Sequence, residues 1–186
     1  MAASAPWSAR GHWKIAAVVV LAAVVVAAAT VSSRHGSPDK SPFAQARGFT
    51  LAAVDGGQPP VSLAARPGRP VVVTFFAAWC QPCIAELPMV ERAWRTYQAQ
   101  GARAPLVIGV DELDQKPAGP DLVHSAGVTF PAGYDHDGAV GRSWAVNGLP
   151  ITAFVTPTGR VVAYHRGQLS ASQLDSLVKR LLSAAA

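Results

Sequence analysis

The hydrophobic positions in the second half of the chain form short unbroken runs, each bounded by glycine, proline or charged residues. Four of these runs are rich in valine, isoleucine and phenylalanine, at residues 71–76, 106–110, 151–155 and 161–164. Continuous apolar runs of about four to eight residues are typical of strands that are buried on both faces. Thr-Pro-Thr-Gly at residues 156–159 predicts a hairpin turn between the last two strands.

The stretches between these runs are predicted to be helical. The predicted helices cover about residues 82–100, 118–126 and 140–146, and a closing amphipathic helix ends near residue 182. Pro88 lies inside the first helix and should kink it, because proline removes one backbone hydrogen bond.

A short N-terminal hairpin is predicted where residues 49–51 and 61–63 flank an Asp-Gly-Gly sequence. The order of elements after it is strand, helix, strand, two helices, hairpin and helix. This order predicts an α/β domain over residues 48–186, with a central mixed β-sheet and helices on both faces.

Ile15 to Val31 is a run of seventeen residues without a charge. As a helix it would span about 25 Å, slightly less than a bilayer hydrocarbon core of about 30 Å. Residues 1–14 form a basic tail before it, and residues 32–47, rich in serine and proline, are predicted to be a flexible linker. We expect an uncleaved signal-anchor, because the run exceeds the usual signal core of about 7–15 residues. The alternative is a signal peptide cleaved near residues 27–29.

The basic excess of the chain lies in its N-terminal arm. The formal net charge is +5 and the isoelectric point is about 9.7. Residues 1–47 carry five basic residues and one acidic residue, whereas residues 48–186 carry 11 basic and 10 acidic residues. A nucleic-acid-binding domain would carry such charge on its folded part. We therefore predict no nucleic-acid partner.

Both cysteines of the chain lie in the sequence Trp79-Cys80-Gln81-Pro82-Cys83, between the predicted strand 71–76 and the first predicted helix. A cysteine at a helix N-terminus is the better nucleophile, since the helix dipole and the free N–H groups favour its thiolate. The second cysteine lies one turn further on, close enough to form a disulfide with the first. The spacing predicts reversible thiol–disulfide exchange, with no cofactor beyond the cysteine pair.

Other sites with this cysteine spacing are disfavoured. A zinc site needs a second pair of ligands, but no two of the five histidines lie within five residues of each other. A purely structural disulfide across so short a loop would restrain the unfolded chain very little. A c-type haem site requires a histidine directly after the second cysteine, where this chain has Ile84. No metal site is predicted.

Residues 68–88, around the cysteines, resemble the active-site block of thioredoxin-like proteins, and most of all the membrane-tethered TlpA/ResA-like branch. The later stretch Val146-Asn147-Gly148-Leu149-Pro150-Ile151-Thr152 and the turn at residues 156–161 also fit. The resemblance covers about residues 47–184, and it implies a thioredoxin-like fold.

The resemblance also implies residue roles. Cys80 would be the attacking thiol and Cys83 the resolving thiol, and Trp79 would shield their disulfide. Pro150 would follow a cis peptide bond and face the cysteines, while Leu149 would offer its backbone N–H and C=O to a substrate strand. The implied substrate-binding residues are Trp79, Pro82, Leu149 and Pro150.

Glu86 matches an acidic residue that this family carries three positions after the second cysteine. We expect it to tune the thiol pKa values and to transfer a proton. The alternative is a solvated carboxylate in the first turn of the helix. Thioredoxin itself has a buried aspartate six positions before the first cysteine, where this chain has Thr74. A hydroxyl cannot accept a proton at neutral pH, so proton transfer must fall to Glu86 or water.

Two acidic stretches are predicted to be solvated. Asp111, Glu112 and Asp114 follow the strand 106–110 near the expected rim of the active site, where a solvated loop is expected and a docking face is the weaker alternative. Asp135-His136-Asp137 invites a metal site, but its composition and the glycine after it favour a surface turn.

These predictions describe an extracytoplasmic thiol–disulfide oxidoreductase, held in the cell membrane by one N-terminal helix. The resemblance implies that it reduces exported clients such as apocytochrome c, with electrons from a membrane thiol reductase. The same site could serve a disulfide oxidase or isomerase, since direction depends on the reduction potential. A metallochaperone on the same fold is a further alternative, although Met1 and Met89 are the only methionines.

Overall fold

The computed structural model describes residues 41–64, 68–101 and 104–185. The predicted basic tail, the predicted membrane segment and most of the predicted linker lie outside these residues. Within them, no helix is both long enough and apolar enough to cross a membrane.

A five-stranded mixed sheet forms the centre of the fold. Its strands are β3 (Val71–Phe76), β4 (Leu106–Glu112), β5 (Ala132–Asp135), β6 (Ile151–Val155) and β7 (Val161–Arg166). They are arranged in the order β5-β4-β3-β6-β7. Strands β3, β4 and β5 are mutually parallel, whereas β6 is antiparallel to both β3 and β7. All six residues of the central strand β3 are buried, which explains its unbroken apolar sequence.

The remaining elements are a hairpin and the flanking helices. The hairpin consists of β1 (Thr50–Leu51) and β2 (Val61–Ser62), and the helices of the described residues are α1 (Gln81–Ala99), α2 (Ala118–Ser125), α3 (Ala139–Ser143) and α4 (Ala171–Ala185). Asp111 of β4 packs against a glycine of α2, and its neighbour Glu112 packs against a glycine of α3. Successive residues of a strand point to opposite faces, so α2 and α3 lie on opposite faces of the sheet.

Strand β5 was not predicted from the sequence. Its residues, Ala-Gly-Tyr-Asp, show neither an apolar run nor a clear alternation. Gly133 is required here because the β1–β2 hairpin lies directly on it. A Cβ atom at Gly133 would lie 2.7 Å from the Cβ of Leu51. The sequence of β5 is therefore determined by close packing against the hairpin, and it shows no hydrophobic pattern.

Helix α3 ends at Ser143, three residues before its predicted end. Ala145 has a positive φ of 55°, which breaks the helical conformation. The amide of Val146 donates to the Gly141 carbonyl at 2.9 Å, a bond pattern that closes helix C-termini. Glycine usually occupies this left-handed position, so the alanine gave no sequence signal for the end of the helix.

The end of the predicted linker packs on the domain. The Val161 amide donates to the Ala44 carbonyl at 2.9 Å, and the Trp144 indole donates to the Arg47 carbonyl at 3.0 Å. The Phe43 ring contacts Trp144 and Tyr164 edge-on, with centroids at 5.4 and 5.9 Å. The folded domain therefore begins at or before residue 43, at least five residues earlier than the predicted start at residue 48.

Replacing Phe43 by alanine should lower the free energy of unfolding by about 2 kcal/mol, because a half-buried ring and two aromatic contacts are lost. Chemical denaturation measures this change. Phe43→Leu keeps much of the apolar area and should recover about half of the loss. An unchanged midpoint in Phe43→Ala would mean that this segment does not stabilise the domain.

Candidate active site

The two cysteines lie where strand β3 passes into helix α1. The strand ends at Phe76, and the short stretch Ala77–Cys80, here called the active-site loop, leads to the first residue of the helix. Cys80 caps the helix, and its Sγ atom accepts a hydrogen bond from the Cys83 amide at 3.2 Å. The two sulfur atoms are bonded, with Cα atoms 5.2 Å apart. A sulfur in this position receives the positive end of the helix dipole, which favours the thiolate once the bond is reduced.

Exposure differs sharply among the residues around the disulfide. Cys80 is 5% exposed and Cys83 is 1% exposed, so both are buried while they are bonded to each other. Trp79 is 61% exposed, and Pro82 is exposed as well. The apolar surface next to the cysteines is therefore exposed to solvent.

Pro150 is placed by the register between β3 and β6. Phe75 pairs with Ile151 in the antiparallel ladder. Pro150 precedes Ile151, so it lies at the edge of the sheet from which the active-site loop leaves β3. The Leu149–Pro150 peptide bond is cis, as the resemblance implied. The Pro150 carbonyl accepts from the Gly167 amide at 2.9 Å, and Leu149 is half-buried beside it.

Glu86 lies inside the domain, on the same helix as the cysteines. It follows Cys83 by three residues, so the two side chains share one face of α1. Its side chain is buried, and a carboxylate oxygen accepts a hydrogen bond from the Leu169 amide. Burial raises the pKa of Glu86 to about 7, although the Leu169 bond opposes this shift. The alternative of a solvated first-turn carboxylate is therefore wrong.

Thr74 occupies the centre of β3 and is 1% exposed. It pairs in register with Thr152 of β6, whose hydroxyl is also buried. Threonine hydroxyls do not ionise at neutral pH, so this pair cannot take up a proton from a thiol. Of the residues that the resemblance assigned to the site, Glu86 is the carboxylic acid, and its pKa lies near neutral pH.

The prediction of a solvated acidic loop after β4 is wrong. Asp111, Glu112 and Asp114 are only 0%, 5% and 4% exposed. Strand β4 continues through Glu112, and Asp111 pairs with Phe76 at the end of β3. Aspartate is common in turns, so the sequence carried no signal for this extension of the strand.

Asp114 contacts the active-site loop directly, which the sequence did not reveal. Its Oδ2 atom accepts from the Ala78 amide at 2.6 Å, two residues before Cys80. The Tyr134 hydroxyl donates to the Asp114 carbonyl at 2.6 Å. The buried acids therefore belong to the surroundings of the cysteines.

The Asp135-His136-Asp137 stretch is only partly a surface turn. His136 and Asp137 are exposed, but Asp135 is buried and accepts from the amides of Val140 and Gly141 at 3.2 and 2.8 Å. It thus holds the start of α3. Within the described ranges, no group of three or more histidine, cysteine or acidic side chains is arranged to hold a metal ion.

Solved structures and curated proteins resemble this chain over most of its length. Thiol-disulfide oxidoreductase ResA of Bacillus subtilis (strain 168) is 28% identical over 139 residues, which are 75% of each chain. DsbF of MTB, solved in mixed oxidized and reduced forms, is 31% identical and covers 74% of this chain and 95% of its own, with a TM-score of 0.62. A thiol:disulfide interchange protein from Chlorobium tepidum TLS is 26% identical and covers 75% of this chain and 96% of its own, with a TM-score of 0.63.

A disulfide-forming Cys-x-x-Cys at a helix N-terminus on a thioredoxin-like α/β fold defines a thiol–disulfide oxidoreductase. Residues 43–164 match the AhpC/TSA family, and the chain belongs to that family. Within it, the chain is similar to thiol–disulfide oxidoreductases such as ResA.

Proposed function

We propose that this protein is a reductant of disulfides in exported client proteins. The observation that supports reduction of client disulfides, and not their formation, is the buried Glu86 on the helix that holds the cysteines. A carboxylate near the thiols disfavours their ionisation. Cys-x-x-Cys proteins that are strong oxidants have a stabilised reduced form and a very low thiol pKa. An acidic side chain in this position acts in the opposite sense and makes the dithiol a better electron donor.

The exchange needs only the two cysteines and a proton acceptor. The Cys80 thiolate attacks one sulfur of the client disulfide, and the other client sulfur leaves as a thiolate and takes up a proton. Cys83 then loses its proton and attacks Cys80 in the mixed disulfide, which releases the second client thiol. Two electrons pass to the client, and the Cys80–Cys83 disulfide remains. The two client thiolates take up the proton that Cys83 released and one proton from solvent, which replaces the proton lost when Cys80 ionised. Glu86 is the group that we assign to accept the Cys83 proton.

Binding of the client falls to the surface around the disulfide. Trp79 and Pro82 supply exposed apolar contacts, and the stretch Leu149-Pro150 offers a backbone edge for an extended client segment. These roles rest on the resemblance and on the placement of the residues at one edge of the sheet.

The location and the partners follow from the N-terminal sequence and from the resemblance to the TlpA/ResA-like branch. Residues 15–31 would hold the protein in the cell membrane, with the domain on the extracytoplasmic side. Apocytochrome c, whose cysteines must be reduced before haem attachment, is the client that the resemblance suggests. A membrane thiol reductase would then restore the Cys80–Cys83 dithiol.

The reduction potential of the Cys80–Cys83 pair tests this direction. Equilibration of the full chain with glutathione redox buffers should give a value near −270 mV or below, the range of thioredoxin. A value near −120 mV would instead assign the protein to the disulfide oxidases. An intermediate value of about −180 mV, with activity on scrambled disulfides, would favour an isomerase. Tight metal binding by the dithiol would favour the metallochaperone alternative.

A further inference from the structure

A pair of buried acids lies behind the active-site loop. Asp111 is the residue of β4 that pairs with Phe76, the last residue of β3 before the loop. Asp114 follows three residues later and accepts the Ala78 amide within the loop. The pair therefore connects the end of the central sheet to the backbone that carries Cys80.

Asp111 has no hydrogen-bond donor. The residue is 0% exposed, and neither carboxylate oxygen accepts a hydrogen bond from an N–H or hydroxyl group of the described residues. Gly119 of α2 packs so closely on it that a Cβ atom there would overlap Oδ2. An ionised carboxylate without a donor is very unfavourable in such a place, whereas a protonated carboxyl has a hydrogen to donate. Asp114 is the acceptor available to that hydrogen.

The charged groups around Asp111 also favour its protonated form. Burial raises the pKa of Asp111 to about 9, and its hydrogen bond to Asp114 together with the negative charges of Asp114 and Glu112 add to this shift. Helix α2 contributes the backbone at Gly119, and β3 contributes the apolar Phe76. Among the described residues, the charged groups that act on Asp111 are the acids Asp114 and Glu112, so the proton is held at neutral pH.

We propose that Asp111 and Asp114 share one proton and together position the active-site loop. The Asp111 hydroxyl donates to Asp114, and Asp114 keeps the negative charge that binds the Ala78 amide. Loss of the shared proton leaves two adjacent carboxylates, which repel each other and weaken the bond to Ala78. Asp111 and Asp114 are positioning residues, because they act on the cysteines through the loop. The inference rests on thiol–disulfide exchange at Cys80–Cys83.

A second acid pair in the same part of the fold provides a matched control. Glu112 points to the opposite face, and its neighbour Asp135 accepts the amides of Val140 and Gly141 in α3. Burial and Asp135 raise the pKa of Glu112 to about 7, and Arg142 opposes the shift. This pair holds a helix end, and among the described residues neither acid forms a hydrogen bond with the active-site loop. A neutral variant of Glu112 therefore changes a buried acid without changing the loop.

The test compares full-length wild type, Asp111→Asn and Glu112→Gln. The rate at which each reduced protein attacks hydroxyethyl disulfide, an uncharged probe, is measured from pH 6 to pH 10, together with the thermal midpoint. Because an acid with a pKa of about 9 is about 90% ionised at pH 10, the wild-type rate should fall up to about tenfold from its plateau. The Asn side chain donates to Asp114 without a titrating proton, so Asp111→Asn should keep its plateau. Glu112→Gln should keep the alkaline fall, shifted to somewhat lower pH, because the negative charge of Glu112 adds to the pKa of Asp111.

Superimposable pH–rate profiles for wild type and Asp111→Asn would overturn the proposal. The proposal would also be overturned if Glu112→Gln lost the fall in rate at alkaline pH as completely as Asp111→Asn does. If Asp111→Asn does not fold, Asp114→Asn decides. The negative charge of Asp114 raises the pKa of Asp111, so its removal must move the alkaline fall to lower pH. A wild type without exchange at any pH would instead refute the oxidoreductase activity. The thermal midpoint still tests the pair in that case, since its decline at alkaline pH must disappear in Asp111→Asn.

Discussion

Replacing Cys83 by serine will trap client proteins on Cys80 and abolish turnover. Cys80 can still attack a client disulfide, but no second thiol remains to release the adduct. With a peptide that carries an intramolecular disulfide as substrate, non-reducing gels should show a covalent adduct that a reducing agent removes. Multiple-turnover activity should fall by about three orders of magnitude or more, as expected for the loss of an essential nucleophile.

The matched variant is Cys80→Ser, which should form no adduct with the same peptide. Cys83 is 1% exposed and lies inside helix α1, so it is poorly placed to meet a client. Adducts in Cys80→Ser and none in Cys83→Ser would reverse the two roles. The geometry favours the assigned order, because the sulfur of Cys80 caps the helix and receives its N–H groups.

The central strands were predictable because their environment matches their sequence. Strand β3 is buried along its whole length and is accordingly a continuous apolar run. Helix α1 begins at Gln81 and ends at Ala99, within one residue of its predicted bounds. Strand β5 was missed, since Gly133 is selected by the close approach of Leu51 and not by a strand pattern. The packing of Phe43 was also missed, because a single aromatic residue in a polar segment carries no periodicity.

The cysteine site was predictable in outline, and its acidic surroundings were not. The Cys-x-x-Cys spacing and the family resemblance pointed to Cys80, Cys83 and the cis peptide bond before Pro150. Asp111 and Asp114 lack such a signal, because an acidic residue next to a strand is normally solvated. Their burial depends on the active-site loop, which is distant in sequence, and on the packing of α2 back onto β4. Only the tertiary structure brings these groups together.

Replacing Glu86 by glutamine should slow exchange while leaving the fold intact. The Gln side chain is nearly the same size, and its carbonyl oxygen can still accept the Leu169 amide. It cannot accept a proton from Cys83, so the resolving step must use water. Because positioned general bases contribute about 10²–10⁴-fold, we expect a loss of at least about tenfold at pH 7. The thiol pKa should fall, since a carboxylate that disfavours the thiolate has been removed.

The raised pKa of Glu86 also predicts how the stability of the protein changes with pH. Glu86 has a pKa of about 7 in the folded protein and about 4.3 in the unfolded chain. A group whose pKa is raised on folding stabilises the protein fully below its unfolded pKa, and this contribution is lost as the pH rises through its folded pKa. Wild type should therefore lose stability between about pH 4 and pH 7, and Glu86→Gln should lose less, because Glu112 alone of these two acids still titrates in this range. The pH–rate profile of Glu86→Gln should also lack the inflection near pH 7 that wild type shows.

Glu91→Gln is the control on the same helix. Glu91 is 4% exposed, but it accepts hydrogen bonds from Thr129 and Arg95, and these bonds hold its pKa below the usual range. It lies eight residues beyond Cys83, more than two helical turns away. The Gln variant at this position should lose stability and keep the wild-type pH–rate profile. If Glu86→Gln also keeps that profile, solvent carries the Cys83 proton, and the burial of Glu86 serves packing alone.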